Sequence, residues 1–306
     1  MPLKPPPLFF DYNATAPLKP ETKTAMLEVM GLSGNPASPH LFGRQMRQKM
    51  EEARQLLADT LKVKLVDEII FNSGGTEGNN TILKTFEKLG ATIFVSAIEH
   101  ACVLNTCADA HKIPVDANGI VDLNWLETEL SKCDQNKPIL VSVMLVNNEV
   151  GVIQPLQDII KIVKKHNAFI HTDAVQALGR IPLDLELYPV DYMSLSGHKI
   201  GGCTGFGALY VKTKSPYDPL ILGGGQEKGK RSGTSNSLGA TAFGAALKVA
   251  RDQDWNTVKS LRDFLAQEIL SYCPEANIWA HLAPRVANTL SIHMPGVPNM
   301  TQLMAF

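Results

Sequence analysis

From about residue 67 the chain alternates short, nearly continuous apolar runs with segments of helical periodicity. The apolar runs predict strands at 67–72, 91–97, 139–146, 168–172, 191–195 and 206–211. The segments between them predict helices at 76–88, 101–112, 122–133 and 155–166, the third opening at Asp122 as N-cap. Strands apolar on both faces, separated by helices, indicate an α/β fold: a mostly parallel sheet with helices on both faces. Residues 236–252 read as an Ala/Gly-rich helix, 255–272 as an amphipathic helix, and 287–293 as a strand that begins a second, smaller unit.

In such sheets ligands bind at the carboxyl ends of strands. Here those ends carry the polar clusters. Ser73-Gly74-Gly75-Thr76 follows the first strand, His100 the second, Asn148 the third and Asp173 the fourth, with Gln176 three residues on. Ser196-Gly197-His198-Lys199 follows the fifth. Each has an ordinary reading: a Gly-Gly-Thr helix start, a core histidine, an aspartate paired with Arg180, a surface lysine in a glycine turn. Their recurrence at five strand ends outweighs those readings and describes a pocket for pyridoxal phosphate (PLP). Lys199 suits a Schiff base with an aldehyde cofactor. Gly75 and Thr76 open a helix whose free N–H groups favour a phosphate. Ser196 and His198 add phosphate donors beside the lysine, and Thr234 offers another hydroxyl after a glycine-rich run, placed to serve a second subunit. Asp173 matches a pyridinium nitrogen, Gln176 and Asn148 the ring-oxygen region, and His100 can stack and shuttle protons.

Composition adds exclusions. At 306 residues, 44% hydrophobic and 19% charged, the chain reads as an ordinary globular protein. A net charge of −1 gives no footprint for nucleic acid or an anionic membrane. No run reaches the length of a membrane span, and the Pro-rich start lacks the apolar stretch of a signal peptide, so the expected compartment is the cytoplasm. The five cysteines (Cys102, Cys107, Cys133, Cys203, Cys273) contain no C-x-x-C pair and suggest neither disulfides nor a metal site.

Taken in order, Asp11 to Pro17, Gly34 to Ser38, Ser73 to Glu77, Glu99-His100, Asn147 to Gly151, Asp173 to Gln176, Ser196 to Lys199 and Arg231 to Thr234 resemble the cysteine desulfurases, PLP enzymes of the class V aminotransferase group. The resemblance implies an aspartate-aminotransferase-like large domain over 15–254, with 1–14 and 255–306 forming an incomplete small α+β domain. It implies a homodimer in which Lys199 carries the cofactor and Thr234 reaches the partner's phosphate. The implied reaction converts L-cysteine to L-alanine and leaves sulfur on an enzyme cysteine as a persulfide, for delivery to an acceptor or scaffold protein in iron–sulfur cluster or thio-cofactor assembly.

One departure accompanies the resemblance. The family's sulfur-accepting cysteine follows a segment resembling Asn288 to Gly296, and the sequence ends at Phe306, before a matching stretch. The arginine expected to hold the substrate carboxylate also falls past that point. Cys203, where relatives usually have proline, sits in a turn near Lys199. The expectation is a chain cut short, which binds PLP without sustaining desulfuration. The alternatives are a selenocysteine-lyase-like PLP enzyme and a non-catalytic PLP-binding remnant that dimerises or binds partners.

Overall fold

The computed structural model describes residues 8–305. The Pro-rich stretch 1–7 and Phe306, both assigned above to the partial small domain, lie outside the described residues. Two helices missed by the sequence reading come first, α1 (Pro20–Met30) and α2 (Leu41–Leu61). The second was legible: Met50, Ala53, Leu57, Ala58 and Leu61 recur at helical spacing and are all buried.

The alternating region follows as β1 (Ile69–Asn72), α3 (Gly75–Lys88), β2 (Thr92–Ser96), α4 (Ala101–Leu104), β3 (His111–Ile113), α5 (Leu123–Lys132), β4 (Ile139–Ser142), α6 (Leu156–Lys165), β5 (Phe169–Asp173), β6 (Tyr192–Ser196) and β7 (Gly207–Val211). These strands form one sheet in the order β1-β7-β6-β5-β4-β2-β3. Only β7 runs antiparallel to its neighbours β1 and β6. The mostly parallel sheet expected from the sequence is therefore present. Alternate residues of each strand enter two cores. On one face Phe71, Phe94, Val141, Ile170 and Met193 pack with α2, α5, α6 and α7 (Ser237–Arg251). On the other, Ile70, Val95, Leu140 and Tyr192 meet Ile82, Leu83 and Phe86 of α3.

Two predicted elements need correction. The helix expected over 101–112 ends at Leu104, and residues 111–113 form a parallel edge strand with Phe94 opposite His111. An edge strand buries only part of its surface; here Ile113 is buried while His111 and Lys112 are exposed, so the strand pattern is faint. The strand expected over 287–293 shrinks to β9 (Ile292–His293), paired antiparallel with β8 (Asn277–Ile278). Asp122 does cap α5, accepting from Trp125 N at 2.9 Å. Beyond α7 the chain continues with α8 (Trp255–Tyr272), β8, β9 and α9 (Asn299–Ala305).

The third predicted strand runs past its ladder in a useful way. Pairing ends at Ser142, yet Val143 N and Leu145 N still donate to His171 O and Asp173 O. This extension carries the chain beside the end of β5 to Asn147 and Asn148.

Candidate functional site

The strand ends converge around Asp173. Its carboxylate is buried at the end of β5. Oδ1 accepts from Val175 N at 2.9 Å and Oδ2 from Asn79 Nδ2 at 2.6 Å. Burial pushes its pKa up, and those two bonds together with the charges of His100 and Lys199 pull it back. Arg180 is not its partner: that guanidinium bonds Gln176 and the side-chain oxygen of Asn13. Among the described residues Asp173 therefore has neutral hydrogen-bond donors and no contacting cation.

Beside it stands the start of α3. Gly74 takes φ 143°, a conformation that favours glycine, to turn the chain from β1 into the helix. Ser73 N and Gly74 N are taken by Glu77 Oε2 and Asn72 Oδ1. The N–H groups of the first helical turn, from Gly75 and Thr76, have no intrahelical partner. A Cβ placed on Gly74 would lie 3.7 Å from Ser196 Oγ, so the β6 hydroxyl sits over this helix start. Gly207 makes the approach possible: a Cβ there would meet Leu195 O at 2.4 Å and Gly74 Cα at 2.6 Å.

Lys199 lies in a 3-10 turn, His198–Ile200, after β6. Its ammonium donates to the carbonyls of Asn13 and Ala14 at 2.5 and 2.7 Å. Burial and the nearby Arg180 charge lower its pKa, against the pull of Asp173 and Asp11. A lowered lysine pKa makes the free amine, the nucleophilic form, easier to reach. His198 is half-buried and its Nδ1 lies 3.1 Å from Thr15 Oγ1. Burial, then the Lys199 charge, lowers its pKa.

His100 caps α4, its Nδ1 accepting from Cys102 N at 3.1 Å, and its ring is otherwise exposed. Gln176 is tied down, donating from Nε2 to Asn13 O at 2.9 Å. Asn148 turns its amide to Glu149 at 2.7 Å, while its carbonyl accepts from Asn13. Thr234 is exposed on the loop before α7. The structure thus brings Gly75, Thr76, His100, Asp173, Ser196, His198 and Lys199 to one end of the sheet. It holds Gln176 and Asn148 at the margin through Asn13, and leaves Thr234 facing outward.

Asn13 is the residue sequence reasoning passed over. Its amide donates to Asn148 O and Thr289 Oγ1, and its oxygen accepts from Arg180 and Asn288. It joins the N-terminal segment, the site and the 288–289 segment. Its place in the quoted Asp11 to Pro17 motif was the available signal, but the partners are distant in sequence.

The residues fit PLP. A buried carboxylate without a cation suits a protonated ring nitrogen. A helix start with free N–H groups, roofed by a serine hydroxyl, suits a phosphate. A lysine with a lowered pKa stands beside both.

The family profile for aminotransferase class-V matches residues 8–301. Cysteine desulfurase IscS of Dictyoglomus turgidum is 40% identical over 277 residues, 86% of this chain and 69% of that protein. Cysteine desulfurase IscS of Ehrlichia chaffeensis is 36% identical over 317 residues, 98% of this chain and 76% of that protein. The X-ray structure of a NifS-like protein from Rickettsia africae superposes with a TM-score of 0.92 at 37% identity, covering 97% of this chain and 84% of that one. Sheet order, site placement and these similarities agree, and the chain belongs to the PLP-dependent class V aminotransferase family.

Proposed function

We propose that this chain binds PLP on Lys199 and acts on L-cysteine as a cysteine desulfurase, releasing L-alanine. The observation that carries this reading is the Asp173 carboxylate, buried at the end of β5 with neutral donors and no contacting cation, within the field of His100 and Lys199. PLP, when bound, supplies the electron sink that labilises bonds at the substrate Cα. The chain's own residues do the rest. Asp173 keeps the ring nitrogen protonated. Gly75, Thr76, Ser196 and His198 hold the phosphate. His100 stacks and moves a proton, as does Lys199 once its amine is free. Gln176 and Asn148 would serve the ring-oxygen side. Thr234, exposed on its loop, serves the phosphate of a second copy, so the active form is a homodimer.

Sulfur transfer needs a thiolate able to reach the substrate sulfur and withdraw. Cys203 does not suit that role. It is half-buried, and burial raises its pKa, whereas a nucleophilic cysteine needs the opposite shift. Burial also raises Cys102, Cys107 and Cys133. None of these four thiols has the lowered pKa that suits a sulfur acceptor.

Two measurements test the reading. Purified chain with PLP should develop a visible absorption band that borohydride removes by fixing the cofactor covalently, and Lys199→Ala should not; equal fixation by the variant sinks the assignment. Alanine and sulfide release from L-cysteine with a reductant should not depend on Cys203; loss of turnover in Cys203→Ser alone would make it the acceptor.

A further inference from the structure

The Asn79-Asn80 pair in the second turn of α3 is left unused by the assignments above. Asn79 is fully buried. One N–H of its amide donates to Asp173 Oδ2 at 2.6 Å and the other to Cys102 Sγ at 3.2 Å. Its own carbonyl oxygen is buried with no partner. That arrangement fixes the amide's orientation, because a flipped amide would set two oxygens against each other at the Asp173 contact. Leaving an acceptor unsatisfied is unfavourable, so the two donations determine the side chain's pose. Asn80 acts in parallel: it donates to Cys102 O at 3.1 Å and accepts from Thr106 at 3.0 Å. Cys102 N in turn bonds His100 Nδ1. The groups meant to flank the ring, Asp173 at one edge and His100 on α4, are thus joined through one dipeptide.

We infer that Asn79 is a positioning residue: its amide aims and stabilises the Asp173 carboxylate toward the cofactor's ring nitrogen and ties it to the helix that carries His100. The carboxylate is fully buried, and the titratable groups around it are His100, Lys199 and the buried Glu99. Asn79 and Val175 N are the donors that hold its two oxygens. A hydrogen bond to a charged group is stronger than one between neutral groups, so loss of the Asn79 donor raises the proton affinity of the Asp173 carboxylate and draws the shared proton from the ring nitrogen onto Asp173. Asn80, which bonds only backbone and Thr106, has no such route to the ring.

This rests on the assignment of Asp173 proposed above, and the test separates the two. Protein reconstituted with PLP labelled with nitrogen-15 in the ring is titrated by NMR, for the parent, Asn79→Leu, Asn79→Ala and Asp173→Asn. Asn79→Leu keeps the side-chain size and removes both donors. The ring nitrogen should be less protonated near neutral pH in Asn79→Leu and Asn79→Ala, its ratio of protonated to unprotonated forms reduced on the order of tenfold as the proton passes to Asp173. Asp173→Asn should reduce it further. If Asp173→Asn moves the titration and both Asn79 variants leave it unchanged, Asn79 only fills space and the inference is overturned, whatever their melting temperatures. If Asp173→Asn leaves it unchanged, the Asp173 assignment fails instead, and Asn79's role with it.

Discussion

Neutralising Glu227 should loosen the loop that carries Thr234, and the structure sets the size of the effect. The Glu227 carboxylate takes two bonds from Arg54 at 2.7 Å each and one from Phe71 N at 3.0 Å. The paired side chains are only 8% and 7% exposed. Arg54 also donates to Ile69 O, and its guanidinium lies 4.3 Å above the Phe71 ring. Burial opposes its charge, yet Glu227 and Glu51 more than restore it and hold its pKa above the usual value. These contacts offset a strained backbone: Glu227 and Lys228 both sit in the left-handed region, φ 49° and 57°, at about 1–2 kcal/mol each. Glu227→Gln keeps the shape and removes the charge. Stranding one partner of a buried ion pair costs about 3–5 kcal/mol. Two features favour the lower figure. Glu51 remains 3.1 Å from Arg54, and the pair borders a cavity of about 360 Å³ through which water can reach the guanidinium. At ~3 kcal/mol, and roughly 2 °C per kcal/mol for a chain this large, the melting temperature should fall by ~6 °C. Arg54→Met combined with Glu227→Gln should recover part of that loss, because no unpaired charge remains buried. Thermal melts of the parent, both single variants and the double variant, with PLP titrations of each, measure the cycle. A Glu227→Gln protein that melts within ~1 °C of the parent, or a double variant less stable than Glu227→Gln, would refute the argument.

Two further expectations follow from buried groups near the site. Burial raises the pKa of Glu99 from the usual 4.5 to about 8, against bonds from Ser96 and Met144 N. Between those values the native state keeps a proton the unfolded state releases, so this group's contribution to stability falls as pH rises, by up to ~1.4 kcal/mol per unit. Glu99→Gln should remove that decline; urea unfolding of both proteins from pH 5 to pH 8 that gave parallel curves would rule out the protonated carboxyl. Gly207→Ala forces a Cβ against Leu195 O and Gly74 Cα, both backbone atoms that cannot turn aside. It should destabilise by about 1–3 kcal/mol and weaken PLP uptake, and normal uptake would show that the Gly74 turn tolerates displacement.

The sequence alone carried the layered architecture and the polar clusters at its strand ends. A strand buried on both faces must be apolar throughout, and its first polar residues mark where it leaves the core, so strand ends and candidate site residues appear together. Lys199, Asp173, His100 and the Gly74-Gly75 turn were legible for that reason, as was the Asp122 cap, a local signal. What stayed hidden depends on contacts between residues far apart in the chain. The edge strand at 111–113 buries too little to leave a pattern. The antiparallel direction of β7 is set by pairing with β1 and β6 on either side of it. The partners of Asn13 lie as far away as Thr289, and those of Glu227 on α2 and β1. Hydrogen bonds of that kind have no period and no local composition. Chain folding brings their donors and acceptors to 3.1 Å or less, and only the tertiary structure records which ones meet.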